Sequence, residues 1–191
     1  MILESLSLKN FRNHEDRSFR FPPGSTVVLG GNGAGKTNLL EAVHYLSFGR
    51  SFRTADDENL VRLTSDYFYL RGETVSGGIR NRTEASYETA GKKILRYDGR
   101  TVSARELVAR NRSVVFYTDD MNLVLGASAY RRRYLDQLLS QTDPRYLDDL
   151  VRYNRTVKQK NSLLKTMKIK KKIPALPVSG SGIPLRRSCP A

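Results

Sequence analysis

A chain of 191 residues can bury one sizeable core, and its single cysteine, Cys189, excludes a disulfide framework within it and points to a reducing compartment. The net charge of +14 draws the chain to polyanions such as nucleic acid and nucleotides and does not bear on fold. No run approaches the roughly 20 apolar residues of a membrane helix, and MILESLSLKNFRNHEDRSF has no apolar stretch behind a basic start; the expectation is a soluble, cytoplasmic protein with no membrane partner.

MILESLSLKNF alternates Ile2, Leu6 and Leu8 with polar positions and predicts a half-buried strand, with RSFRF as a short partner. Pro22-Pro23-Gly24 turns the chain into STVVLG, whose β-branched run predicts a buried strand at 25–30. From Lys36 the residues Leu39, Leu40, Val43 and Leu46 recur at helical spacing, and Gly49 ends a helix of about twelve residues as a C-terminal cap. Segments of 67–98 alternate between Ser76-Gly77-Gly78, Ala90-Gly91 and Asp98-Gly99, predicting an antiparallel layer joined by hairpin turns. SARELVAR is a short helix opened by a capping box from Ser103 to Glu106. SVVFY then predicts an apolar strand at 113–117, followed by helices over 128–139 and 144–164, the second with Pro144 in its first turn. Beyond Lys165 the chain has prolines, glycines, six cations and no acid, and residues 166–191 are expected to be disordered.

Gly30, four residues, then Gly35, Lys36 and Thr37 fit the phosphate-binding loop G-x-x-x-x-G-K-[ST] in front of a helix. Gly30, Gly31, Asn32, Gly33, Ala34, Gly35, Lys36 and Thr37 would then cradle the phosphates of ATP with backbone amides, Lys36 reaching the β- and γ-phosphates and the Thr37 hydroxyl holding Mg²⁺. Hydrolysis also wants carboxylates at the end of a second strand. The candidates are Asp119 and Asp120 after SVVFY, although an acid pair in a helix's first turn is also what the helix dipole favours without metal. Asp148 and Asp149 fall within a helix and read as a solvated face, and Val75-Ser76-Gly77-Gly78 reads as a hairpin rather than a transporter-type signature. His14 and His44 have no neighbouring ligand set, so no metal is expected beyond the nucleotide's Mg²⁺.

LSLKNFRN, GGNGAGKTNLLEA, GRSFRT and YRRRYLDQLLSQTDPRYLDDLVRYNRTVKQKNSLL, in this order, resemble the amino-terminal half of the RecF family of DNA replication and repair ATPases, from Met1 to about Lys165. Around Arg131 the fit is carried by Gly126, Arg131, Arg132, Tyr134, Leu135 and Asp136, while Thr118 and Ser128 stand where the family pattern has prolines. The resemblance implies an α/β, P-loop ABC-type ATPase head, here its first half, with an antiparallel β layer and a following helical segment. It implies an ATP-dependent homodimer, binding to single- and double-stranded DNA and their junctions, recombination mediator proteins as partners, and a place in replication-gap repair, recombination and the SOS response. It also makes Asp119 part of a connecting motif rather than a catalytic acid.

The expected organisation is a P-loop lobe over 1–125 with the antiparallel insert 67–98, a helical segment over 126–165 and a basic tail over 166–191. Because the resemblance stops near Lys165, the expectation is a truncated head with impaired hydrolysis, catalytic residues unknown. Arg50, Arg53, Arg131 and Arg132 are the candidate DNA contacts, while Arg152, Arg155, Lys158 and Lys160 read as a solvated face. Two alternatives stand: a self-contained P-loop NTPase or kinase using Asp119 or Asp120, and a nonfunctional fragment.

Overall fold

The computed structural model describes residues 1–170, without the side chains of Asp119 and of residues 168–170. Most of the expected basic tail, with Cys189, lies outside the described residues. Two compact units divide the chain, 1–150 and 151–191.

The first unit is built on six strands, β1 (Ile2–Phe11), β2 (His14–Arg20), β3 (Tyr67–Ser76), β4 (Ile79–Glu88), β5 (Lys92–Tyr97) and β6 (Arg100–Thr101), in the order β2-β1-β3-β4-β5-β6. Every neighbouring pair is antiparallel. The turns are those the glycines predict: Gly77 and Gly78 both take positive φ between β3 and β4, as do Asp98 and Gly99 between β5 and β6, the geometry of tight hairpins. Alternation decides which face is buried. Leu6 and Leu8 of β1, Phe68 and Leu70 of β3, Ala85 of β4 and Leu95 of β5 point to one face and are covered by helix α1 (Lys36–Phe48) through Leu39, Ala42, Tyr45 and Leu46. Phe68 is met edge-on by Phe11 and by Tyr45, with ring centroids 5.3 and 5.4 Å apart. Each such side chain removed from water contributes about 1.5–3 kcal/mol. A Cβ at Gly72 would lie 2.8 Å from Leu46 Cδ1, so the glycine in β3 is what lets α1 approach the sheet.

Helix α1 ends where the sequence says it should. Gly49 takes a left-handed φ of 64° and returns its N–H to the Tyr45 carbonyl. Helix α2 (Ala104–Arg110) opens with the reciprocal Ser103–Glu106 capping box, and buried Asn111 just beyond it ties α1 to β4 by donating to the Leu46 carbonyl and Thr83 Oγ1, both at 2.9 Å. A 3-10 turn (Thr118–Met121) and helices α3 (Asn122–Leu125), α4 (Ser128–Thr142) and α5 (Pro144–Lys170) follow. The last two run three and six residues past the predicted ends.

Two predicted strands are not formed. Residues 25–30 and 113–117 carry no β structure; Val27 is 77% exposed, Leu29 86%, Val114 71% and Phe116 75%. A β-branched run becomes a strand only when a neighbour completes its hydrogen-bond ladder, and among the described residues no strand pairs with either run. The phosphate-loop motif therefore has its helix but no strand before it.

In the second unit the described residues are helical, and Arg152, Arg155, Lys158 and Lys160 are exposed, as are the apolar Val151, Tyr153, Leu163 and Leu164. No described helix is long and apolar enough to cross a membrane.

Candidate functional site

The glycine loop is shaped by its neighbours as well as by its own residues. Gly33 and Gly35 take φ of 81° and 95°, and α1 starts at Lys36, its ladder opening with the Leu39 N–H on the Gly35 carbonyl at 2.9 Å. A Cβ at Gly35 would sit 2.6 Å from His14 Nε2 and 2.7 Å from Asn13 Oδ1, so both conformation and space demand glycine here. No side chain caps the start of α1, and its first turn holds no acid, which leaves the leading amides and their partial positive charge for an external anion. Lys36 Nζ donates to the carbonyls of Gly30 at 2.8 Å and Gly31 at 2.7 Å, folding the ammonium over the loop, and Thr37 is exposed in the first turn beside it.

The turn between β1 and β2 braces this loop, a role that sequence reasoning missed. Asn13 Nδ2 donates to the Gly33 carbonyl at 3.0 Å, Asn38 Nδ2 donates to Asn13 Oδ1 at 2.9 Å, and His14 Nε2 lies 3.2 Å from the Gly35 carbonyl oxygen. Arg12, held at a φ of 55°, reaches Glu41 with two bonds, Nε to Oε2 at 3.0 Å and Nη2 to Oε1 at 2.8 Å. Glu41 is fully buried on α1 one turn after Thr37 and also accepts from Ser51 Oγ at 2.5 Å and Arg53 Nη1 at 3.3 Å. Burial works against its charge. The bonds from Arg12 and Ser51 and the charges of Arg12 and Arg53 outweigh it and hold the carboxyl below its usual range. The signal available in sequence was an acid inside the apolar run LLEAVHYL, where an unpaired charge would be costly.

The four candidate DNA arginines have different surroundings. Arg53 is held by Glu41 and by Asn38 Oδ1 at 2.9 Å. Arg131 turns back on the carbonyls of Leu123 and Gly126 at 3.3 and 3.2 Å, where a cation offsets the C-terminal charge of α3. Arg132 is exposed and reaches Ser128 Oγ at 3.4 Å. Arg50 is exposed and lines a cleft with Arg133. Of the acid candidates, Asp120 accepts the Tyr117 amide at 2.8 Å through Oδ2, as a turn cap does; the side chain of Asp119 lies outside the described residues. Asp148 pairs with Arg105. No group of three or more potential metal ligands occurs among the described residues.

The AAA domain family pattern matches residues 5–176. The chain belongs to that family. The resemblance to RecF read from the sequence is also borne out. The DNA replication and repair protein RecF of Caldanaerobacter subterraneus subsp. tengcongensis is 36% identical over 170 residues, 88% of this chain and 47% of the relative. A solved structure of the recombination mediator protein RecF with ATP, in the RecFOR pathway, is 36% identical and superposes with a TM-score of 0.81 over 87% of this chain and 45% of that one. An SMC ATPase structure, 18% identical with a TM-score of 0.57, shares the fold over 72% of this chain and 99% of that one. The chain thus has the fold of an α/β P-loop ATPase head and spans about half the length of the curated relatives it matches.

Proposed function

We propose that this chain binds ATP with Mg²⁺ at the 30–37 loop and acts on DNA in replication-gap repair and recombination, as a RecF-like protein. The observation that carries it is the loop itself: left-handed Gly33 and Gly35, an uncapped helix start at Lys36, and a lysine whose ammonium already lies over the loop. These residues suit a triphosphate. The amides from Asn32 to Thr37 would meet its phosphate oxygens, Lys36 would exchange the Gly30 and Gly31 carbonyls for the β- and γ-phosphates, and the Thr37 hydroxyl would hold Mg²⁺. The metal, when bound, neutralises charge between the phosphates.

Hydrolysis by this chain alone is slow in this reading. Glu41 is charge-paired by two arginines, and Asp120 is committed to a backbone amide, so neither is poised to orient water. The roles of its relatives in DNA replication and repair and in recombination mediation support DNA as the substrate and recombination mediator proteins as partners, and in this reading an ATP-dependent homodimer would supply the closing surface. The test is a titration of fluorescent ATP with and without Mg²⁺, alongside anisotropy of labelled single-stranded, duplex and junction DNA. Metal-enhanced nucleotide binding together with salt-sensitive DNA binding is expected. Rapid Mg²⁺-dependent turnover by the isolated monomer would instead favour a self-contained NTPase.

A further inference from the structure

A second polar cleft lies away from the glycine loop, between the end of α1 with the segment after it and the residues from 113 to 141, all within the first unit. Its cavity is about 320 Å³, enough for one nucleotide. Arg50, just after α1, and Arg133, on α4, both line it, and among the described residues neither makes an ion pair. Partial burial and the charge of Arg133 both lower the proton affinity of Arg50, the condition of two cations sharing a cleft without an anion between them. His44, in the floor, adds no charge at neutral pH: burial and the two arginines push it down to about 4. Asp120 also lines the cleft, with its Oδ2 engaged by the Tyr117 amide.

Polar and aliphatic side chains make up much of the remaining lining, with four aromatic rings, Phe52, Tyr117, Tyr130 and Tyr134, among them. His44 meets Phe52 at 5.3 Å and Phe52 meets Tyr117 at 4.8 Å along one side of the cleft, and Phe48 stacks on His44 from behind the lining at 4.4 Å. Tyr130 and Tyr134 of α4 line the same cleft and are 46% and 41% exposed, leaving ring area free for a base. Two cations in one cleft beside accessible rings match a phosphate and its base in one unit of a single strand.

We infer that the Arg50–Arg133 cleft holds one nucleotide unit of single-stranded DNA, its phosphate between the two guanidinium groups and its base against Tyr134. This deepens the DNA-binding reading above and rests on it. Arg53 lines the same cleft with its guanidinium held by Glu41 and Asn38, and Arg131 is held by backbone carbonyls, so the inference assigns the phosphate contact to Arg50 and Arg133.

The test is anisotropy of a labelled oligothymidylate titrated with the full chain, the Arg50→Ala/Arg133→Ala variant, and a charge-matched control, Arg17→Ala/Arg20→Ala, at two exposed positions of β2. ATP binding serves as the folding check. The cleft variant should lose about tenfold in affinity, with a salt slope shallower by about 1, whereas the control changes less than about threefold. Tyr134→Ala should lose about fivefold and Tyr134→Phe should keep binding. Equal affinities in cleft and control variants overturn the inference while leaving the DNA reading intact. Failure of the parent chain to bind at low salt overturns both. Displacement of the strand by free thymidine monophosphate at equal nucleotide concentration would assign the cleft to a mononucleotide and overturn the strand as its occupant.

Discussion

Replacing Glu41 with alanine is the sharpest stability test of how the glycine loop is held. Its carboxylate is 0% exposed and accepts from Arg12, Ser51 and Arg53, so one substitution frees two cations and a hydroxyl on two separate chain segments, the β1–β2 turn and residues 51–53. Breaking a buried ion pair by removing one partner costs about 3–5 kcal/mol. The Arg12 and Arg53 side chains keep 21% and 43% exposure, so water recovers part of that, and about 3 kcal/mol is expected. Urea unfolding of the parent, Glu41→Ala, Arg12→Ala and the double variant would give the cost and the Glu41–Arg12 coupling, expected at about 1.5 kcal/mol or more. A loss below about 0.5 kcal/mol for Glu41→Ala, or purely additive effects, would refute the argument that this carboxylate ties the β1–β2 turn to α1.

Stability should also fall on mild acidification. The folded chain holds His44 near 4 against an ordinary 6.5, so between these values the unfolded chain binds the extra proton. The loss begins as pH drops through 6.5 and reaches about 3 kcal/mol by pH 4; His44→Gln should flatten the slope above the carboxylate range, and an unchanged slope would count against burial as its cause. Gly35→Ala should cost about 1–3 kcal/mol and weaken nucleotide binding, since a left-handed φ and contact with Asn13 and His14 both oppose a methyl group; a neutral result in thermal melts would contradict the loop geometry. Val27→Ser should change stability by under about 0.5 kcal/mol, because the residue is 77% exposed, whereas a buried strand there would lose about 1–3 kcal/mol in the same melt.

What could be read from the sequence was local. The helix from Lys36 to Gly49, the hairpin turns at Gly77-Gly78 and Asp98-Gly99, and the Ser103–Glu106 box each depend on residues within a few positions of one another, and each formed as expected. STVVLG and SVVFY were misjudged because periodicity reports a segment's capacity for a strand, while a ladder needs a neighbour that the segment cannot name. In the site, the loop's residues were legible from their spacing. The brace was not: Asn13 meets Gly33 across twenty positions, and Arg12 meets Glu41 across twenty-nine. Among the arginines, spacing could not reveal that Arg131 turns onto the end of α3 while Arg133 lines one cleft with Arg50.

The most direct check is calorimetric titration of ATP–Mg²⁺ into the parent chain and into Lys36→Ala. Nucleotide binding should be lost in the variant while its melting in the absence of nucleotide stays close to the parent's. Equal ATP affinity in the two proteins would contradict the assignment of residues 30–37 as the triphosphate site.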